Sequence, residues 1–274
     1  MRLLIFGLGY TARAVAARVG GVVAGTTRDG RGGSLRFADA DAVRRELAGA
    51  THVLSSVPPG AGRDPVLAAY GAALARSGAW LGYLSSTGVY GDADGAWVDE
   101  SAPLGGRRPE RVRADADWLR LGARVFRLPG IYGPGRSALE RVREGKAHLT
   151  RIPGQVFSRC HVDDIASGVV AGFDAPGGAY NLADDRPCSQ DEVIEFAAGL
   201  LGVPPPPSVA LAALSPMAQG FYAENRRVAA AKAKRVLGWR PRYPDFRAGL
   251  RAVSATTRPA PASAAPPPAS SDQR

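Results

Sequence analysis

Short apolar runs alternate with amphipathic stretches through the first half of the chain. Runs at Leu3–Phe6, Val22–Gly25, Val53–Ser55, Trp80–Ser85 and Val125–Leu128 predict strands. Between them, apolar positions three and four apart predict helices at Thr11–Val19, Asp41–Ala48, Pro65–Ser77 and Val112–Leu121. Parallel neighbours need crossover connections, so this alternation predicts an α/β fold, a doubly wound parallel sheet with helices on both faces. After Tyr132 the pattern loosens into loops marked by Pro134, Gly135, Pro153 and Gly154. A helix is expected over Val162–Phe173. Another opens at the capping-box pattern Ser189-Gln190-Asp191-Glu192 and runs to Leu201, and a third spans Val228–Leu237. Pro204 to Pro207 reads as a stiff linker. From about Thr256 the chain is Pro, Ala and Ser with little else, the composition of a disordered tail (256–274).

The first strand ends at Gly7, and Gly7-x-Gly9-x-x-Ala12 leads into a helix, the dinucleotide fingerprint of a Rossmann unit. Gly7 permits the tight turn, Gly9 has no Cβ to hold a pyrophosphate away, and Ala12 allows close packing of the helix. The amides of the helix start, with Tyr10 and Thr11 in its first turn, then face the phosphates. An NAD site places an acid at the end of the second strand to bind the ribose 2′-hydroxyl. Here Gly25-Thr26-Thr27-Arg28 puts a guanidinium there, which suits a 2′-phosphate and predicts NADP over NAD. Asp29 is the competing NAD-type contact, and Arg13 could add a second charge.

Net charge is +10, yet only Lys146, Lys232 and Lys234 are lysines, and the chain is rich in Ala, Gly and Pro. That bias suits GC-rich coding as well as selection for charge. The basic clusters Arg107–Arg113 and Arg226–Arg242 lack the aromatic interleaving of a single-strand binder, so no nucleic-acid partner is expected. A solvated face, or attraction for an anionic cofactor and substrate, accounts for them. No apolar run is long enough for a membrane span, and the start does not read as a signal peptide. Cys160 and Cys188 have no metal-ligand spacing, so no metal is expected, and they suit a reducing cytoplasm. A small-molecule substrate and a monomer or homodimer complete the expectation.

Six segments in order resemble the extended short-chain dehydrogenase/reductases, the class of nucleotide-sugar epimerases and dehydratases. They are the glycine fingerprint, Leu84-Ser85-Ser86-Thr87-Gly88-Val89-Tyr90-Gly91, Arg127-Leu128-Pro129-Gly130-Ile131-Tyr132-Gly133-Pro134-Gly135-Arg136, Arg159-Cys160-His161-Val162-Asp163-Asp164-Ile165-Ala166, Tyr180-Asn181-Leu182-Ala183-Asp184 and Leu237-Gly238-Trp239-Arg240-Pro241. Ser55-Ser56-Val57-Pro58-Pro59 resembles an atypical bacterial subgroup. The resemblance implies a nucleotide-binding unit over 1–135 and part of 155–185, with a substrate-binding part over 136–154 and 186–252. It places Ser86 on the reacting oxygen of the substrate, and Val57, Pro58, Ser85, Pro129 and Ile131 beside the cofactor. Thr87-Gly88 stands where dehydratases carry an Asp-Glu pair, which argues against sugar dehydration.

The family's proton shuttle, a Tyr about 25 residues past the Ser with a Lys four further on, has no counterpart. No tyrosine lies between Gly91 and Ile131, and no lysine before Lys146; the two slots fall near Pro109 and Arg113. An arginine will not act as a base at neutral pH. Candidate substitutes are His161, near neutral pKa without adjustment, and Tyr90 and Tyr132 in the two loop motifs; Arg159 could meet an anionic substrate group. Packing roles for both tyrosines, and a helix-start role for His161, compete with these. Two functions remain open: an oxidoreductase moving hydride on a small polar or nucleotide-sugar-like substrate, or an NADP-binding redox sensor without turnover.

Overall fold

The computed structural model describes residues 1–60 and 62–256; the expected tail after about Thr256 lies outside the described residues. In chain order the strands are β1 (Arg2–Phe6), β2 (Val22–Thr27), β3 (Leu35–Arg36), β4 (His52–Ser55), β5 (Trp80–Ser86), β6 (Trp97–Val98), β7 (Arg124–Leu128), β8 (Gly130–Tyr132), β9 (Arg159–His161), β10 (Gly178–Asn181) and β11 (Arg227–Val228). The α-helices are α1 (Tyr10–Arg18), α2 (Ala40–Gly49), α3 (Pro65–Arg76), α4 (Pro109–Arg120), α5 (Ala138–Arg143), α6 (Val162–Ala171), α7 (Gln190–Leu201), α8 (Pro216–Tyr222), α9 (Ala231–Val236) and α10 (Phe246–Thr256).

Seven strands form one parallel sheet in the order β10-β7-β5-β4-β1-β2-β3. The chain leaves β1 toward β2 and β3, then crosses back to β4 on the other side of β1. That reversal opens a crevice at the carboxyl ends of β1 and β4, where ligands of open α/β sheets bind. β1 shows why the sheet is doubly covered. Leu3 and Ile5 join the core formed with Ala12 and Val15 of α1 and Ile165 and Val169 of α6. Leu4 and Phe6 point the other way, into the core with Val43 of α2, Tyr70 of α3 and Trp118 of α4.

The second half departs from the sequence reading in several places. Val228 is not helical: its amide donates to Ser158 Oγ at 2.8 Å, and β11 pairs with β6, so the helix there begins at Ala231. Helix α5 stands where the loosened pattern predicts loop, opened by a full capping box of Ser137 and Glu140. At Ser189 the box is half made: Ser189 Oγ accepts from the Glu192 amide at 3.0 Å, while the Glu192 carboxylate pairs with Arg247. Helix α10 is a further addition to the pattern. Its buried Phe246, Leu250 and Val253 pack with α5 and α7 in a third core cluster. Among the described residues no helix is long and apolar enough to cross a membrane.

Candidate active site

The glycine loop hangs on the carboxyl ends of three strands. Gly7 sits at φ +83°, donates to Thr26 Oγ1 at 3.2 Å and accepts from Ser56 Oγ at 2.6 Å. A Cβ on Gly7 would stand 3.0 Å from Val57, so the Ser56-Val57 pair is the platform under the loop. A Cβ on Gly9 would meet nothing within 4 Å: the side of the loop that must admit a pyrophosphate is open. Helix α1 starts there with no side-chain cap and no acid in its first turn, which leaves its amides free for an anion. Thr11 and Ala12 are buried under the loop, and Pro58 is exposed beside it. The Tyr10 hydroxyl donates to the Pro134 carbonyl at 3.0 Å, with the Arg136 guanidinium over its ring, tying this loop to the one after β8.

At the end of β2 the two candidate ribose contacts separate. Asp29 accepts from Thr27 Oγ1 at 3.1 Å and pairs with Arg31. Against some desolvation, backbone amides, the Thr27 hydroxyl and the Arg31 charge together hold its carboxyl below the usual range. Arg28 is exposed and makes no hydrogen bond or ion pair among the described residues. The open glycine loop and uncapped helix start fit a nicotinamide dinucleotide.

β5 delivers Ser86 to the same edge of the sheet, with β4 between it and β1, about 10 Å away at ordinary strand spacing. Ser86 Oγ accepts from the Gly88 amide at 3.1 Å, which leaves its own proton to donate. It lines a cleft of about 1040 Å³ shared with Leu128, Pro129, Ile131 and Tyr132. Ser85 is turned inward instead. Its hydroxyl donates to Asp115 Oδ2 at 2.6 Å, and Asp115 (0 % exposed) holds Arg127 (3 % exposed) through contacts of 2.8 and 3.1 Å. Arg127 donates to the Tyr90 hydroxyl, which donates in turn to Asn181 Oδ1 at 2.8 Å. Expected as a cofactor contact, Ser85 is part of this buried network behind the site, and so is Tyr90, expected as a substrate contact.

Two more expectations change with the geometry. His161 does not line the cleft: it is 2 % exposed, its Nδ1 accepts from the Asp163 amide that opens α6, and it sits between the rings of Tyr132 and Tyr243. Burial lowers its pKa, so it stays neutral and serves as a helix cap. Arg159 does line the cleft, but its terminal nitrogens already donate to the carbonyls of Phe157, Cys188 and Ser189 and to Gln190. The Tyr132 ring lines the cleft while its hydroxyl faces the Asp245 carbonyl and Gly249; desolvation raises its pKa far above the ordinary phenol. The shuttle slots lie on α4: Pro109 is its first residue, and the Arg113 guanidinium donates to the Gly62 carbonyl at 2.9 Å.

Two of the quoted motifs turn out to hold each other. Asp164, from the motif at the start of α6, accepts from the amides of Arg242 and Tyr243, and Trp239 Nε1 donates to the Asp164 carbonyl at 3.0 Å. Their role is to fasten the C-terminal segment to α6. Other cleft residues had no site role in the sequence reading: Arg136, within a quoted motif, Arg141, Phe157 and Phe221, and Arg226, which opens the second basic cluster and whose Nη1 pairs with Glu224 at 2.7 Å. Arg108 and Arg111 also line it. Their signal is the basic run at 107–113, for which the sequence offers attraction for an anion but no position relative to Ser86.

No family model matches the chain. A solved structure described as a functionally unknown conserved protein from Silicibacter pomeroyi is 42 % identical, covering 93 % of this chain and 98 % of that one, at a TM-score of 0.82. The chain belongs to one family with that protein. The same fold is shown by UDP-glucose 4-epimerase of Thermus thermophilus in complex with NAD, 21 % identical over 93 % of this chain and 98 % of that one, TM-score 0.71. A curated relative, 3-diazoavenalumate denitrifying reductase of a Streptomyces species, is 33 % identical over 176 positions covering 56 % of this chain. The match spans 58 % of that relative's length.

Proposed function

We propose that the chain is an NADP-dependent oxidoreductase that acts on a small anionic molecule held in the cleft beside Ser86. The observation that carries this is the meeting of an open glycine loop and a cleft-facing serine hydroxyl at one edge of the sheet. When bound, the nicotinamide supplies or accepts hydride. Gly7, Gly9 and the first turn of α1 hold the pyrophosphate, and Arg28 takes the 2′-phosphate with a charge-assisted hydrogen bond. Val57, Pro129 and Ile131 form apolar walls around the reacting ring. Ser86 orients the reacting atom of the substrate by donating its free proton, and the Asp115–Arg127 pair fixes the strand ends that carry it. The relative's name supports reduction, and a nicotinamide cofactor is also supported by the NAD-bound epimerase. Residues 136–154 and 186–252 form the substrate side, and the cytoplasm is the proposed compartment.

A second reading is an NADP-binding sensor without turnover, favoured by Pro109 and Arg113 in the shuttle positions. Calorimetry with NADPH and NADH tests the shared part: NADPH binds more tightly in both readings, and equal affinities would overturn the cofactor assignment. Screening reducible substrates with NADPH then separates them. Turnover that is lost in Ser86→Ala establishes the enzyme; tight NADPH binding with no turnover across the screen favours the sensor.

A further inference from the structure

We infer that the cleft is built for an aromatic acid, with its oxyanion on Arg108 and Arg111 and its ring on Phe221; this deepens, and rests on, the cleft assignment above. Seven arginines line the cleft: Arg107, Arg108, Arg111, Arg136, Arg141, Arg159 and Arg226. Most are spoken for or set apart. Arg107 and Arg226 share Glu224 at 2.8 and 2.7 Å, Arg159 donates to backbone carbonyls, and Arg136 lies over Tyr10. Arg108, Arg111 and Arg141 make no side-chain hydrogen bond or ion pair among the described residues; Arg141 stands on α5, whereas Arg108 and Arg111 lie three residues apart at the start of α4. Arg108 is the N-cap of α4 and Arg111 lies in its first turn; two like charges on one wall of a cleft repel, and an anion bound between them relieves that repulsion.

The aromatic wall stands next to that pair. Arg107, the residue before Arg108, donates through Nη2 to the Gly220 carbonyl on α8, so the start of α4 is bonded to the turn that carries Phe221. Phe221 is 52 % exposed and stacks on Phe157 at 4.4 Å, 14° from parallel, with Tyr222 edge-on to both. Phe157 is already covered on one face by Phe221, with the Arg159 guanidinium 6.0 Å from its ring centroid. The exposed aromatic surface of this group is that of Phe221, which lines the same cleft as Arg108 and Arg111 and follows the Gly220 whose carbonyl Arg107 holds. A ring stacked there removes apolar surface from water, and a planar carboxylate meets the guanidinium fork.

The test is calorimetry on the full chain saturated with NADPH, using 4-hydroxycinnamate, its methyl ester and UDP-glucose as probes. The acid is expected to bind at least tenfold more tightly than the ester. Replacing both arginines (Arg108→Gln with Arg111→Gln) should abolish that difference, while Phe221→Ala weakens acid and ester alike. Each variant is checked for an unchanged melting temperature, which is expected because none of the three positions is buried. Equal binding of acid and ester, or an acid affinity indifferent to both arginines, overturns the inference. UDP-glucose binding more tightly than the acid also overturns it, while leaving the oxidoreductase reading with a nucleotide-sugar substrate. Failure of NADPH itself to bind overturns the underlying cofactor reading instead, a result visible before any probe is added.

Discussion

Removing the charge of Asp115 tests whether the buried network behind Ser86 is as constrained as its geometry implies. Asp115→Asn keeps the shape but leaves the Arg127 guanidinium, 3 % exposed, without a counter-ion. It also takes the anionic acceptor away from Ser85, now bonded at 2.6 Å. Breaking a buried pair by removing one partner costs about 3–5 kcal/mol, because the remaining charge is left in a medium that does not solvate it. For a chain of this length each kcal/mol shifts the melting temperature by roughly 2 °C, so a fall of about 6–10 °C is expected. The double variant Asp115→Leu with Arg127→Met removes both charges and should recover part of the loss, since no ion is left unpaired. Thermal melts and urea titrations of the three proteins measure this. A fall below about 2 °C for Asp115→Asn, or a double variant no more stable than the single, would refute the reasoning.

Three further outcomes are expected. Gly9→Ala, at φ −84° with open space around the added methyl, should fold as well as the parent yet bind NADPH more weakly; unchanged affinity would show that the pyrophosphate does not approach there. Arg28→Ala should remove most of the preference for NADPH over NADH, about 1.5–3 kcal/mol or roughly 10- to 100-fold, by calorimetry. Asp184 is 3 % exposed, and desolvation, opposed by the Arg159 charge, raises its pKa from 3.8 to about 8. The folded chain therefore keeps a proton that the unfolded chain releases above about pH 4. Stability should fall as pH rises from about 4 to 8 and then level off. Asp184→Asn, which cannot ionise, should gain in melting temperature over the parent at about pH 8 but not at about pH 4; an equal difference at both would contradict the assignment.

The sheet and its cofactor edge were legible in the chain because their causes are local. A buried parallel strand must be apolar on both faces, which Leu3 to Phe6 display, and Gly7, Gly9 and Ala12 are spaced by the turn and helix they build. The position of Arg28 was readable for the same reason, since it follows its strand directly. What only the tertiary structure decided concerns side chains whose partners are far away in sequence. The motif singles out Ser86 but gives Ser85 no buried partner; alternation along β5 sends Ser85 to Asp115, thirty residues on, and Ser86 to the cleft. His161 reads as a candidate acid until the fold buries it as the cap of α6. Arg108, Arg111 and Phe221 come to line one cleft where Arg107 donates to the carbonyl of Gly220, a contact across 113 positions that no local pattern encodes.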